Sequence, residues 1–151
     1  MTTEVNFKDG ILTATRVYDA PREAVFDAWV NTSKVQLWWG CAQTTSTESC
    51  IEQRIGGKYE HTMQIEGAGE FKVCGLITEY SPPARLVYEA ADMMGQGPTS
   101  EVAIDFTEHP NGGTQVSLRQ TGLPEEYIKH VKVGLAASWD KLARFLMSEA
   151  A

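Results

Sequence analysis

From Pro124 to the carboxy terminus the chain reads as one long amphipathic helix, while residues from about 44 to 121 read as strand after strand. Ile128, Val131, Leu135, Trp139, Leu142 and Leu146 step by three or four, the period of a single helix face. Pro124 suits a first-turn position, and Glu125 and Glu126 fall where the helix dipole favours negative charge. A helix of this length with a large aromatic at its middle needs a broad apolar surface to lie on. A curved antiparallel sheet can supply that surface. Such a pairing leaves an interior between sheet and helix, and what fills it decides the function.

Turn chemistry divides the strand region. Gly56-Gly57 precedes KYEHTMQI, and Glu66-Gly67-Ala68-Gly69 precedes EFKVCGLITEY. Ser81-Pro82-Pro83 precedes RLVYEA, and Gly95-Gln96-Gly97-Pro98 leads into SEVAIDFTE. His109 to Gly113 leads into TQVSLRQTG. Turns at this spacing predict an antiparallel meander. Before it, Ile11 to Tyr18 alternate and read as the first strand. Asp19 and Pro21 predict a helix start, with Val25, Phe26 and Trp29 on its apolar face. Asn31-Thr32-Ser33 then predicts the cap of a second short helix that ends at Gly40. The expected order is strand, two short helices, about six strands and a long helix, an α+β fold.

The two-residue period of a strand assigns faces. Tyr59, His61, Met63 and Ile65 share one face; so do Val102, Ile104 and Phe106; so do Val116, Leu118 and Gln120. The helix residues Ile128, Leu135, Trp139 and Leu142 are expected to face them. The run from Phe71 to Tyr80 is apolar on both sides, so its parity stays open.

Bulk numbers exclude several roles. At 151 residues the chain can bury a real core in one domain. A net charge of −7 argues against nucleic acid and against anionic membranes. No run approaches the roughly 18 apolar residues of a membrane span, and the first residues carry no secretory h-region. The expected location is the cytoplasm, with Cys41, Cys50 and Cys74 as reduced thiols. Cys41 is expected at the cavity rim, reacting first, with the other two shielded within strands; the alternative is that all three are buried and inert. Those thiols and His61 are too unevenly spaced for a metal centre, and no nucleotide or hydrolase motif is present, so no metal or cofactor is expected.

The polar residues on the inner faces carry the functional question. A buried polar atom must find a partner, or it costs roughly 1–3 kcal/mol. His61 and Gln120 are therefore either satisfied inside the protein or available to a guest in the cavity. Of Trp38 and Trp39, one is expected to pack in the core and the other to cover the cavity mouth. Glu52 and Arg54 read as a surface pair on one strand face. Gly134, inside the long helix, predicts either close packing or space beside the helix.

Taken together, RVYDAPREAVFDAW, LWWG, IGGKYEH, CGLITEYSPPARLVYE, EVAIDFTEHPNGGTQVSLRQTGLP and SWDKLARFL resemble the domain related to the activator of the Hsp90 ATPase, within the START-like helix-grip (SRPBCC) superfamily. The resemblance runs from about Thr13 to Met147. It implies a helix-grip fold over 1–151, a curved sheet of about six or seven strands wrapped around the terminal helix. Cys41 stands where the family usually has a small residue or Pro, and Ser138 where it has Gly before the Trp. The superfamily holds ligand binders, polyketide cyclases and cochaperone domains. The leading expectation is binding of a small hydrophobic molecule, lined by Trp38, Trp39, Tyr59, His61, Met63, Phe71, Tyr88, Gln120 and Trp139, without catalysis. The alternatives are a cyclase-like enzyme, with His61 as base and Tyr59 or Tyr88 as proton donor, and a chaperone-contacting or self-associating stress-response protein.

Overall fold

The computed structural model describes residues 3–91, 100–123, 125 and 128–150. Its elements run β1 (Glu4–Lys8), β2 (Ile11–Tyr18), α1 (Arg22–Val30), α2 (Thr32–Val35), β3 (Thr44–Ile51), β4 (Tyr59–Ile65), β5 (Gly69–Ser81), β6 (Arg85–Ala91), β7 (Ser100–Glu108), β8 (Thr114–Thr121) and α3 (Ile128–Ala150). The strands form one antiparallel sheet in the order β1-β2-β8-β7-β6-β5-β4-β3. This is the α+β helix-grip architecture. It has eight strands where six or seven were expected.

The added strand is β1. Asp9 and Gly10 both adopt positive φ, 53° and 79°, and pair Lys8 with Ile11 across a two-residue turn. Asp-Gly is a strong signal for this tight hairpin, because both central positions need a left-handed backbone. Two further boundaries differ. Pro21 is itself the cap of α1, with no side-chain cap, so Asp19 lies outside the helix. The predicted helix from Pro124 is seen from Ile128; Pro124, Glu126 and Tyr127, like the predicted turn at Gly95 to Pro98, lie outside the described residues. Asn31 does cap α2, its side chain accepting from the Ser33 amide at 3.1 Å.

The core sits between one sheet face and the helices. Val102, Ile104, Phe106, Val116 and Leu118 are buried from the sheet side, and Trp139, Leu142 and Leu146 from α3. The parity expected for β4, β7 and β8 holds. In β5 a register shift between Ile77 and Glu79 breaks the alternation there. Polar ties fix α3 across this core. Tyr18 Oη donates to the Trp139 carbonyl at 3.2 Å, and Arg16, nearly buried in β2, pairs with Asp140. Lys34 of α2 bridges Asp27 of α1 and Glu149 of α3, at 2.6 and 3.0 Å. No helix among the described residues is long and apolar enough to cross a membrane.

Candidate functional site

The sequence-predicted wall divides into core and candidate site. Trp38 belongs to the core: it is 1% exposed, and its Nε1 donates to the Ala28 carbonyl at 3.0 Å. Trp139 is buried against Trp29, ring centroids 6.0 Å apart. Trp39 takes the other role. It is half-buried and stacks face to face on His61, at 3.8 Å and 13°.

Around that stack the sheet face is aromatic. Tyr59 meets His61 edge-on at 4.9 Å and Trp39 at 5.9 Å, and Tyr88 lies 4.3 Å from Tyr59. The Tyr59 hydroxyl donates to the Trp29 carbonyl at 2.9 Å, which ties the wall to α1. Gly75 makes this crowding possible. A Cβ there would stand 2.8 Å from the Tyr59 carbonyl and 3.5 Å from the Tyr88 ring. Met63 continues the face beyond His61 and is buried, with the Thr44 hydroxyl directed at its sulfur.

Gln120 is satisfied within the protein on its donor side. Its Nε2 donates to Ser100 Oγ at 2.8 Å, and that hydroxyl donates to the Thr121 carbonyl at 2.8 Å. Phe71 corrects the expectation. Its register partner is Met63, so it shares the inner face, yet it is 37% exposed and outside the packed core. It stands near the start of β5, toward the turn of the β4–β5 hairpin, and does not line an enclosed wall. Glu52 and Arg54 do pair, at 3.6 Å, but they follow β3 instead of sharing a strand face.

His61 is the chemically distinctive member. Its side chain is 0% exposed. Nδ1 lies 2.8 Å from Ser49 Oγ, while Nε2 has no partner among the described residues. Burial lowers its pKa to about 3, so the ring is neutral at physiological pH. Burial drives the Tyr59 hydroxyl well above its ordinary pKa, with a smaller contribution from Tyr88, and raises Tyr88 as well. The wall is thus uncharged and aromatic with one unused ring nitrogen.

Sequence reading missed Trp29 as the hub. Its indole contacts Trp38, Trp39, Phe106 and Trp139. It also missed Ser49, whose role depends on cross-strand register. Ser138 has a structural role too: its hydroxyl donates to the Trp38 carbonyl and accepts from the Gly40 amide, at 3.2 and 3.3 Å. That clamps the Trp38-Trp39-Gly40 turn onto α3. Two surface clefts lie apart from this wall. One, of about 320 Å³, runs between α1 and the β5–β6 turn, along Phe26, Tyr80 and Pro82. The other, of about 330 Å³, lies beside Pro21 and Leu146.

Comparison with known proteins agrees with this architecture. The family model described as "Activator of Hsp90 ATPase homolog 1-like protein" matches residues 19–147, and the chain belongs to that family. No curated protein matches the sequence. Protein Ms6760 from Mycobacterium smegmatis superposes with a TM-score of 0.82 at 18% identity, over 100% of this chain and 98% of the other. CalU16 from Micromonospora echinospora gives 0.70 at 22%, covering 99% and 89%. DynU16, described as a protein of the dynemicin biosynthetic locus, gives 0.74 at 18%, covering 94% of this chain and 49% of its own. At these identities the likeness speaks for the fold.

Proposed function

We propose that this member of the family binds a small hydrophobic molecule against the inner face of its sheet, acting as one START-like unit over residues 1–151 in the cytoplasm. Trp39, Tyr59 and Tyr88 supply contact area, His61 supplies a polar anchor, and Met63, Gln120 and Trp139 border the space. The observation that carries this reading is the unpartnered, fully buried His61 Nε2 within an aromatic wall. Pockets for small molecules share that composition, mostly apolar with a few placed polar atoms.

The same residues favour binding over proton transfer. A general base works best with a pKa near the operating pH. His61, near 3, holds a proton too weakly for that task, and the raised tyrosines give theirs up too reluctantly. A chaperone-contact reading has the family description behind it. Among the described residues, the large exposed apolar side chains are Leu37, Ile55, Phe71 and Leu76 of β5, and Val133 and Met147 of α3.

Titration of the full chain with hydrophobic compounds, read by tryptophan fluorescence and thermal shift, tests the proposal. Saturable quenching that weakens in Trp39→Ala is expected. Turnover of a polyketide-like substrate that vanishes in His61→Ala, with binding retained, would establish the enzyme reading instead.

A further inference from the structure

The sheet ends in two edge strands, β1 and β3, and they are finished differently. At β3 the outward amides are already taken by side chains of the α2 segment. Gln36 Oε1 accepts from the Ser49 amide at 3.3 Å, and Thr32 Oγ1 from the Ile51 amide at 3.1 Å. β1 has no such cover among the described residues. Lys8 and Ile11 flank a two-residue turn and form its closing hydrogen-bonded pair. The alternation of an antiparallel ladder then directs the backbone groups of Glu4, Asn6 and Lys8 to β2 and turns those of Val5 and Phe7 outward. Neither of these two amides meets an acceptor among the described residues. An open strand edge of this kind is a template for a further strand.

We infer that β1 pairs with β1 of a second copy of this chain, antiparallel about a two-fold axis at Asn6, so that two sheets join into one. The strand, EVNFK, is complementary to itself in that register. Glu4 of each copy falls opposite Lys8 of the other, and Val5 of each opposite Phe7 of the other. Parity agrees with this. Val5 and Phe7 carry the outward backbone groups, so their cross-strand pairs are the hydrogen-bonded ones. Glu4 and Lys8 take the non-hydrogen-bonded positions, where opposed side chains lie closer. Both are exposed, and neither makes an ion pair among the described residues. Sliding the two strands by two residues loses both charge pairs. Helix α3 extends the surface on the same side. Arg16 Nη1 reaches both Asp140 and Thr3, the residue just before β1, so the Asp140 flank of α3 overlooks this edge. Val133 stands seven residues earlier on that flank and is 67% exposed. The axis is normal to the sheet, so both α3 helices lie on the same face of the joined sheet. β1 is at the far edge from β3 and β4, so the pairing leaves the Trp39–His61 wall untouched.

Sedimentation equilibrium of the untagged full chain, from micromolar to millimolar concentration, tests this pairing. The wild-type protein should pass from monomer to dimer and stop there, because β1 is then used and β3 is covered. Glu4→Lys should weaken the dimer about tenfold or more, since two exposed attractions become repulsions. Lys8→Glu should do the same. An equimolar mixture of the two variants should associate as tightly as wild type, because every opposed pair again has opposite charges. Both positions are exposed, and unchanged melting temperatures will show that the variants fold. Amide hydrogen exchange on the wild-type protein needs no variant. The Val5 and Phe7 amides should exchange more slowly as concentration rises, while the Asn6 amide stays protected throughout. A monomer at millimolar concentration overturns the inference. So does a dimer whose Val5 and Phe7 amides exchange as fast as in the monomer, or whose charge variants keep full affinity alone or fail to rescue each other, because the contact then lies elsewhere.

Discussion

The imidazole of His61 lies flat on the indole of Trp39, ring centroids 3.8 Å apart and planes 13° from parallel. Burial holds the ring neutral, and this has a consequence for stability. Burial lowers its pKa from 6.5 to about 3 in the folded chain. Between those values the unfolded chain holds a proton that the folded chain excludes. The stability is therefore fully present above the unfolded pKa and is lost as pH falls toward 3. The slope approaches about 1.4 kcal/mol per pH unit in that window. Urea denaturation from pH 7.5 to 4.5 should show a steeper loss in the wild-type protein than in His61→Phe. Parallel curves would mean that His61 takes up its proton without unfolding.

Trp139 joins α3 to the rest of the core through its contacts with Trp29 and Tyr18. It is 2% exposed. Trp139→Ala should cost roughly 3–5 kcal/mol, the range for removing a large buried aromatic. A denaturant midpoint shift worth under about 1 kcal/mol would show that the helix does not depend on this contact.

Periodicity carries far in this chain because most elements have one apolar face. The α3 stripe, the inner faces of β4, β7 and β8, and the cap at Asn31 were all legible from spacing. Phe71 was not, because its run is apolar on both sides and sequence does not show how far along the strand the covered core extends. Cys50 was expected to be shielded, and is exposed because strand membership does not say which face a side chain takes or what covers it. Ser49 and Trp29 became visible only with register and helix packing, since neither sits in a motif. The unpartnered Nε2 of His61 is likewise invisible in sequence, which shows a residue and not its neighbours.

Two glycines that look alike in sequence should behave oppositely. A Cβ on Gly57 would stand 2.3 Å from the Glu52 carbonyl oxygen, a backbone atom that cannot turn aside. The Gly57 carbonyl also accepts from the Ile77 amide at 2.8 Å, so the segment cannot easily move away. A Cβ on Gly134 meets only the Cβ of Cys41, at 3.6 Å, an ordinary contact. Gly134→Ala should therefore stabilise the protein by about 0.5–1 kcal/mol through helix propensity and reduced freedom of the unfolded chain. Gly57→Ala should lower the melting temperature clearly. Destabilisation by Gly134→Ala would mean that the helix needs closer approach there than the Cys41 contact implies.

The three thiols are free, and they should separate by environment. Cys50 is exposed, while Cys41 and Cys74 are half-buried. At Cys41 burial pushes the pKa up. Hydrogen bonds from Thr44 and from the backbone, with the charge of Lys141, outweigh that and leave the thiol below its ordinary value. Lys141 is placed for this by donating to the Cys41 carbonyl at 2.8 Å. Thiolate is the reactive form, so accessibility favours Cys50 and ionisation favours Cys41. Timed alkylation with peptide mapping should find both modified before Cys74. The Cys41 rate should level off at a lower pH than that of a free thiol. Lys141→Gln should move that plateau upward; an unmoved plateau would mean the ammonium holds the loop without acting on the thiol. Cys41 also contacts Thr44, whose hydroxyl reaches toward Met63 on the inner face. A hydrophobic compound that quenches the tryptophans should therefore, at saturation, slow Cys41 and leave Cys50 unchanged. Equal rates at Cys41 with and without that compound would put the entrance to the wall elsewhere.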